Sequence, residues 1–129
     1  AEAGFVPILE PEIDIFSDDK AESEKIMKEE IMKRLEDLPE DMTFIFKLSL
    51  PSVDNFYSEL IEHPNVMRVV ALSGGYSRED AVDLLTRNYG MIASYSRALL
   101  EGLKVDQTEE EFNERLSKSI IEIYEASIT

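Results

Sequence analysis

The stretch Phe44-Ile45-Phe46-Lys47-Leu48-Ser49-Leu50 reads as a strand with two unlike faces. Successive side chains of an extended chain point to opposite sides. Phe44, Phe46, Leu48 and Leu50 therefore make one wholly apolar row, suited to packing against helices. Ile45, Lys47 and Ser49 make the other, so Lys47 is expected on the inner side of a sheet. Thr43 opens the apolar run and Pro51 closes it.

Working outward, the same rhythm recurs. Upstream, a first apolar run, Phe5 to Glu10, leads through a loop at Pro11 and Asp14 to Asp19. Ile26, Met27, Ile31, Leu35 and Leu38 then recur at helical steps until Pro39-Glu40-Asp41 stops them. Downstream, Phe56, Leu60 and Ile61 mark a helix ending at His63-Pro64-Asn65, and the run Val66 to Leu72 opens onto Ser73-Gly74-Gly75. Ser77, with Asp80 three residues on, caps a helix carrying Ala81, Leu84 and Leu85, which Asn88-Tyr89-Gly90 ends. The run Met91 to Tyr95 leads to Arg97 and a short helical turn. A last helix starts at Thr108, with Glu111 completing a second capping box, and its apolar stripe is Phe112, Leu116, Ile120, Ile123 and Tyr124. Strands alternating with helices predict βαβ units and a parallel sheet, an α/β fold. Four such units equal half of a (β/α)8 TIM barrel, which needs about 250 residues. A small open doubly wound sheet has the same pattern.

Composition narrows the function. The 129 residues are long enough for one domain with a core, spanning 1–129. A net charge of −15 argues against nucleic acid and anionic membranes as partners, since both call for basic surfaces. No apolar run approaches the roughly 18 residues of a membrane span. With no cysteine and a single histidine, disulfides and thiolate metal sites are excluded and a zinc site is disfavoured; His63, before Pro64, reads as a capping or surface residue. The absence of cysteine fits a reducing cytoplasm. The chain lacks an initiator Met and starts at the edge of a strand, which reads as a cut between structural units.

Lys47 carries the most information about chemistry. Desolvation disfavours an ammonium inside a sheet, so such a lysine is either paired with a carboxylate or used as a nucleophilic amine. Glu10 and Glu12 share the parity of Val6 and Ile8, which puts them at the C-terminal rim of the first strand, where barrel active sites are built. A carboxylate there either bridges to a cation or exchanges protons with a reacting group. Ser73-Gly74-Gly75, between a strand and a helix, is a plain turn or an anion cradle whose glycines let backbone amides approach an oxyanion. Arg97 stands at a similar level on the next unit.

These pieces together resemble the class I fructose-bisphosphate aldolases of the bacterial type. The matching stretches are Phe5-Val6-Pro7-Ile8-Leu9-Glu10-Pro11-Glu12, Phe46-Lys47-Leu48, Leu72-Ser73-Gly74-Gly75 and Ala93-Ser94-Tyr95-Ser96-Arg97-Ala98-Leu99. They stand in family order and span essentially the whole chain. The resemblance implies the C-terminal half of the barrel, units five to eight, and a lyase of glycolysis and gluconeogenesis working without a metal or other cofactor. It implies that Lys47 forms an imine with dihydroxyacetone phosphate and that Glu10 does acid–base work, with Glu12 as the second carboxylate. It further implies that Ser73, Gly74, Gly75 and Arg97 hold a sugar phosphate. Ser96 stands where many members have glycine. The family's early-strand aspartate and its additional active-site lysines have no counterpart here, so the chain by itself is expected to be a poor aldolase or none.

Four parallel strands cannot close a barrel. Two open edges and an uncovered inner face are expected, with Val6, Ile8, Ile45, Val69 and Ala71 meeting water. Open edges invite pairing, so the expected partner is a second copy of the chain or the missing N-terminal half-barrel.

Overall fold

The computed structural model describes residues 3–39 and 41–129. Its centre is one four-stranded parallel sheet in the order β1 (Ile8–Leu9), β2 (Phe44–Ser49), β3 (Val66–Leu72), β4 (Ile92–Ala93). Between and after the strands lie α1 (Lys20–Leu35), α2 (Ser58–Ile61), α3 (Arg78–Thr86), α4 (Arg97–Leu100) and α5 (Glu109–Ser127). A doubly wound sheet reverses its strand order at a switch point and carries helices on both faces. Here the order is sequential, and the buried apolar residues of the two long strands, Phe46 and Leu48 of β2 with Val69 and Ala71 of β3, lie on one face. The arrangement is that of half a (β/α)8 barrel.

The alternation of β2 builds the core. Phe46, Leu48 and Leu50 are buried, joined in register by Val69 and Ala71 of β3 and covered by Leu35, Leu60, Ala81, Leu85, Ala98 and Ala126 from the helix layer. Lys47 pairs with Val70 and Ser49 with Leu72, so those side chains line the inner face. Val69 and Ala71 are thus core residues, contrary to their expected place on the water-facing side. A register shift at Phe44/Ile45, where Val66 is followed in the pairing by Arg68, reverses the parity read from the start of the run.

The outer strands are shorter than their apolar runs. Ile8 and Leu9 pair with Ile45 and Phe46, and Ile45 also donates to the Pro7 carbonyl, 3.0 Å away. Only Ile92 and Ala93 of the last run pair with β3, followed by the Ser94 amide on the Ala71 carbonyl at 2.8 Å. Among the described residues each outer strand has a partner on one side only, and Val6, Ile8 and Leu9 are exposed.

Helix ends follow the caps. Ser77 accepts from the Asp80 amide, and Thr108 and Glu111 form a complete capping box. Helix α1 ends at Leu35, short of the expected stretch, because the ring of Pro39 conflicts with the carbonyl four residues before it. Ile26 lies on its exposed side, and Leu38 packs on the core from the turn that follows. Glu40, part of the expected stop signal, lies outside the described residues.

Helix α5 departs furthest from its expected stripe. Phe112, Ile120 and Tyr124 are exposed, whereas Ser119 and Ala126 are fully or nearly buried. The reason is Arg78, whose guanidinium is buried against this helix. It donates to Ser119 Oγ at 2.7 Å, to Glu122 at 3.1 Å and to the Glu101 carbonyl at 2.9 Å. That hydrogen-bonded cluster holds Ser119 inward, while Ala126 packs in the core and Ile120, Tyr124 and Ile128 are left beside β4. No helix among the described residues is long and apolar enough to cross a membrane.

A second buried cluster ties α1 to the end of β2. Lys20 and Glu24, one turn apart and both buried, form an ion pair. Lys20 Nζ also donates to the Leu50 carbonyl (2.8 Å) and Ser52 Oγ (3.0 Å), while Glu24 accepts from the Ser52 amide (2.9 Å). Removing one partner leaves an uncompensated charge in the interior. Glu24→Ala is therefore expected to cost about 3–5 kcal/mol of stability, read as a lowered denaturation midpoint in urea, whereas a surface change such as Glu29→Ala should stay within about 0.5 kcal/mol.

Candidate active site

The C-terminal ends of the four strands converge on one hollow, lined by Glu10, Glu12, Lys47, Leu72, Ser73, Gly74, Ser94, Ser96 and Arg97. Every site residue expected from the sequence except Gly75 lines it. The reason is geometric. In a parallel sheet all C-terminal ends lie at one rim, so the residues that follow the strands meet there although they are far apart in sequence.

Lys47 projects from the inner face of β2, and its ammonium donates to Glu10 Oε2 at 2.9 Å. The lysine side chain retains 27% of its exposure and the glutamate 54%. So open a pair is worth about 0–1 kcal/mol. Stability alone thus gives little reason for a lysine in the middle of this strand. The salt bridge of a purely structural reading and the proton-exchanging pair implied by the resemblance are one and the same contact. Glu12, likewise exposed, lies on the rim beside it.

The glycine turn follows β3. Gly74 and Gly75 have φ of +60° and +109°, values that side chains strain to adopt. Crowding adds to the requirement at Gly74, where a Cβ would sit 2.9 Å from the Ile15 side chain. Among the described residues, the two glycine amides donate to no protein acceptor. The start of α3 is less available than expected. The Asp80 amide goes to Ser77 Oγ, the Arg78 amide to Glu101 Oε2 at 2.7 Å and the Tyr76 amide to the Ser73 carbonyl. Three of the amides around the start of α3 are thus already taken, whereas those of the glycine turn are not. Arg97 faces the same hollow from the start of α4 and makes no ion pair among the described residues.

Two cations and two carboxylates thus share a polar hollow in a protein of net charge −15. An amine beside a carboxylate suits imine chemistry, and free amides beside a guanidinium suit a phosphate. His63 is remote from the hollow; its Nδ1 accepts from the Asn65 amide at 3.2 Å, a local turn contact. Among the described residues, no group of three or more His, Cys, Asp or Glu side chains is arranged to hold a metal ion.

Sequence reasoning missed Ser94 and Ser96, which line the hollow beside Arg97. Alternation around the buried Tyr95 is the signal that marks them, since its neighbours must face the other way. It also missed the task of Ser49, which lies on the Lys47 row but turns its hydroxyl to the loop after β1. Ser49 Oγ accepts from the Ile13 amide at 3.0 Å and donates to the Ile13 carbonyl at 2.8 Å.

No protein-family model matches the chain. Three curated relatives bear the name fructose-bisphosphate aldolase class 1. The protein from Clostridium acetobutylicum is 60% identical over 129 residues, all of this chain and 44% of its own length. That from Porphyromonas gingivalis is 57% identical over 125 residues, 97% of this chain and 42% of its own. That from Synechocystis sp. is 55% identical over 127 residues, 98% of this chain and 42% of its own. The chain thus spans less than half the length of the curated relatives it matches. It is a relative of the class 1 fructose-bisphosphate aldolases and, from end to end, resembles their C-terminal half.

Proposed function

We propose that this chain supplies the imine-forming and phosphate-holding half of a class I fructose-bisphosphate aldolase, corresponding to units five to eight of the barrel. The reaction is the reversible retro-aldol cleavage of fructose 1,6-bisphosphate to dihydroxyacetone phosphate and glyceraldehyde 3-phosphate. One observation carries the reading: a strand-borne lysine within 2.9 Å of a carboxylate, in the hollow that the glycine turn and Arg97 also line. The relatives' name supports the reaction class.

The chemistry follows from that geometry. The Lys47 amine attacks the ketone carbon of the open-chain sugar, and the carbinolamine loses its hydroxyl as water. Glu10, in contact with the nitrogen, takes the ammonium's proton as the amine attacks and returns it to the departing hydroxyl. The protonated imine then takes up the electron pair released when the bond between the third and fourth carbons breaks, while a base removes the proton of the fourth-carbon hydroxyl. Glu12 is the second carboxylate at the rim. The Gly74 and Gly75 amides and Arg97 hold the phosphate, fixing the carbonyl against Lys47. Such chemistry belongs to the cytoplasm and to glycolysis, and the chain's own contribution uses no metal or other cofactor.

A second reading makes the chain an assembly module with residual phosphate binding and no turnover. The two outer strands, each paired on one side only among the described residues, favour it. Beside β4, Ile92, Tyr95, Leu99, Ile120, Ile123 and Tyr124 line an apolar groove. At the opposite edge Val6, Ile8 and Leu9 are exposed. Covering each such side chain gains about 1.5–3 kcal/mol, so the chain is expected to pair with a second copy or with an N-terminal half-barrel. The negative charge opposes pairing only over the roughly 8 Å that salt leaves unscreened.

Three outcomes test the proposal. Dihydroxyacetone phosphate with borohydride should label Lys47 and no other lysine, and Lys47→Ala should abolish labelling; label spread over surface lysines refutes the assignment. Inorganic phosphate titrated calorimetrically should bind Arg97→Ala about ten- to a hundred-fold more weakly than the unaltered chain, the loss of one charge-assisted hydrogen bond. Sedimentation at micromolar concentration should give a dimer, and a monomer would refute self-pairing.

A further inference from the structure

The loop after β1 is held down along its length, beyond Glu10 by contacts that the chemistry above does not use. Glu10 starts it, on Lys47. Three residues later, the Ile13 backbone is gripped in both directions by the nearly fully buried Ser49 hydroxyl. Ser49 lies two residues beyond Lys47 on the same face of β2, so it replaces with a side chain the ladder bonds that β1 no longer makes. Ile15 and Phe16 then lie over the glycine turn, with Ile15 side-chain carbons 2.9 Å from where a Gly74 Cβ would stand and 3.5 Å from a Gly75 Cβ. Asp14 closes a local turn by accepting from the Phe16 amide at 2.9 Å. The far end enters α1 at Lys20, which the buried cluster fixes to Leu50 and Ser52.

We infer that residues 10–16 form a strap that sets Glu10 against Lys47 and couples this pair to the glycine turn, with Ser49 as its central positioning residue and Ile15 as its far anchor. The inference rests on the reading of Lys47 as the imine-forming lysine. Ser49 touches neither reacting group. It fixes the backbone three residues from the carboxylate, and a proton transfer that needs hydrogen-bond reach is sensitive to shifts of that backbone. The strap also explains why the turn after β3 carries glycine at position 74. A side chain there would lift Ile15 and with it the segment that bears the two glutamates.

Ser49→Ala removes the central grip, and Ile15→Ala loosens the far anchor without touching β2. Imine formation is read as the rate of borohydride trapping with dihydroxyacetone phosphate, per folded chain, alongside amide hydrogen exchange. In both variants the trapping rate at saturating dihydroxyacetone phosphate should fall about ten- to a hundred-fold, as expected for misplaced catalytic groups. The half-saturating concentration should change less than two-fold. Exchange of the Ile13 amide should quicken in Ser49→Ala while the amides of β2 and β3 stay protected. If the original chain is trapped and both variants are trapped at its rate, the strap has no positioning role and the inference is overturned, whatever their stability. If the original chain is not trapped, the imine reading fails and the inference falls with it.

Discussion

Everything in this molecule is arranged around the two-fold alternation of β2. One row of that strand is among the most deeply buried parts of the protein, and the row on its other side carries Lys47 and Ser49. Burying Phe46, Leu48 and Leu50 under the helices leaves the lysine no choice but the inner face. Slipping the strand by one residue would drive an ammonium into the core and expose three large apolar side chains. The energy that holds the fold and the geometry that presents the amine are therefore the same constraint.

The end of β2 also gathers the polar contacts that shape the site. Ser49 holds the loop after β1, Leu50 and Ser52 receive the Lys20–Glu24 pair, and Lys47 receives Glu10. The buried pair does structural work, since both charges are nearly removed from water and each has hydrogen-bond partners besides the other. The exposed pair contributes little to stability and leaves the amine within reach of a reactant. Two ion pairs on one strand end thus differ in task because they differ in burial.

The apolar surface left over has a consistent distribution. It lies along β1 at one edge and between β4 and α5 at the other, the two places where a closed barrel continues into its neighbours. Between α3 and α5, by contrast, the helix layer is closed by the buried Ser119 and the hydrogen bonds of Arg78. Other exposed apolar side chains, such as Ile26 and Val53, stand apart from these two edges.

The strand–helix rhythm, the parity of Lys47 and the two capping boxes were legible in the amino-acid sequence, because alternation and caps are local and each run carries its own signal. The meeting of Glu10, Lys47, Gly74 and Arg97 was legible only in outline. Parallel strands bring their ends together, but contact between particular side chains depends on register. Tertiary structure alone decided the rest. The shift at Phe44/Ile45 turned Val69 and Ala71 into the core, and the buried Arg78 rotated the packed side of α5 away from Phe112, Ile120 and Tyr124. Ser49 became a backbone clamp because β1 ends after two paired residues and leaves the amide and carbonyl of Ile13 in need of partners. Such outcomes turn on which polar group finds a partner across the fold, and no local pattern of residues records that.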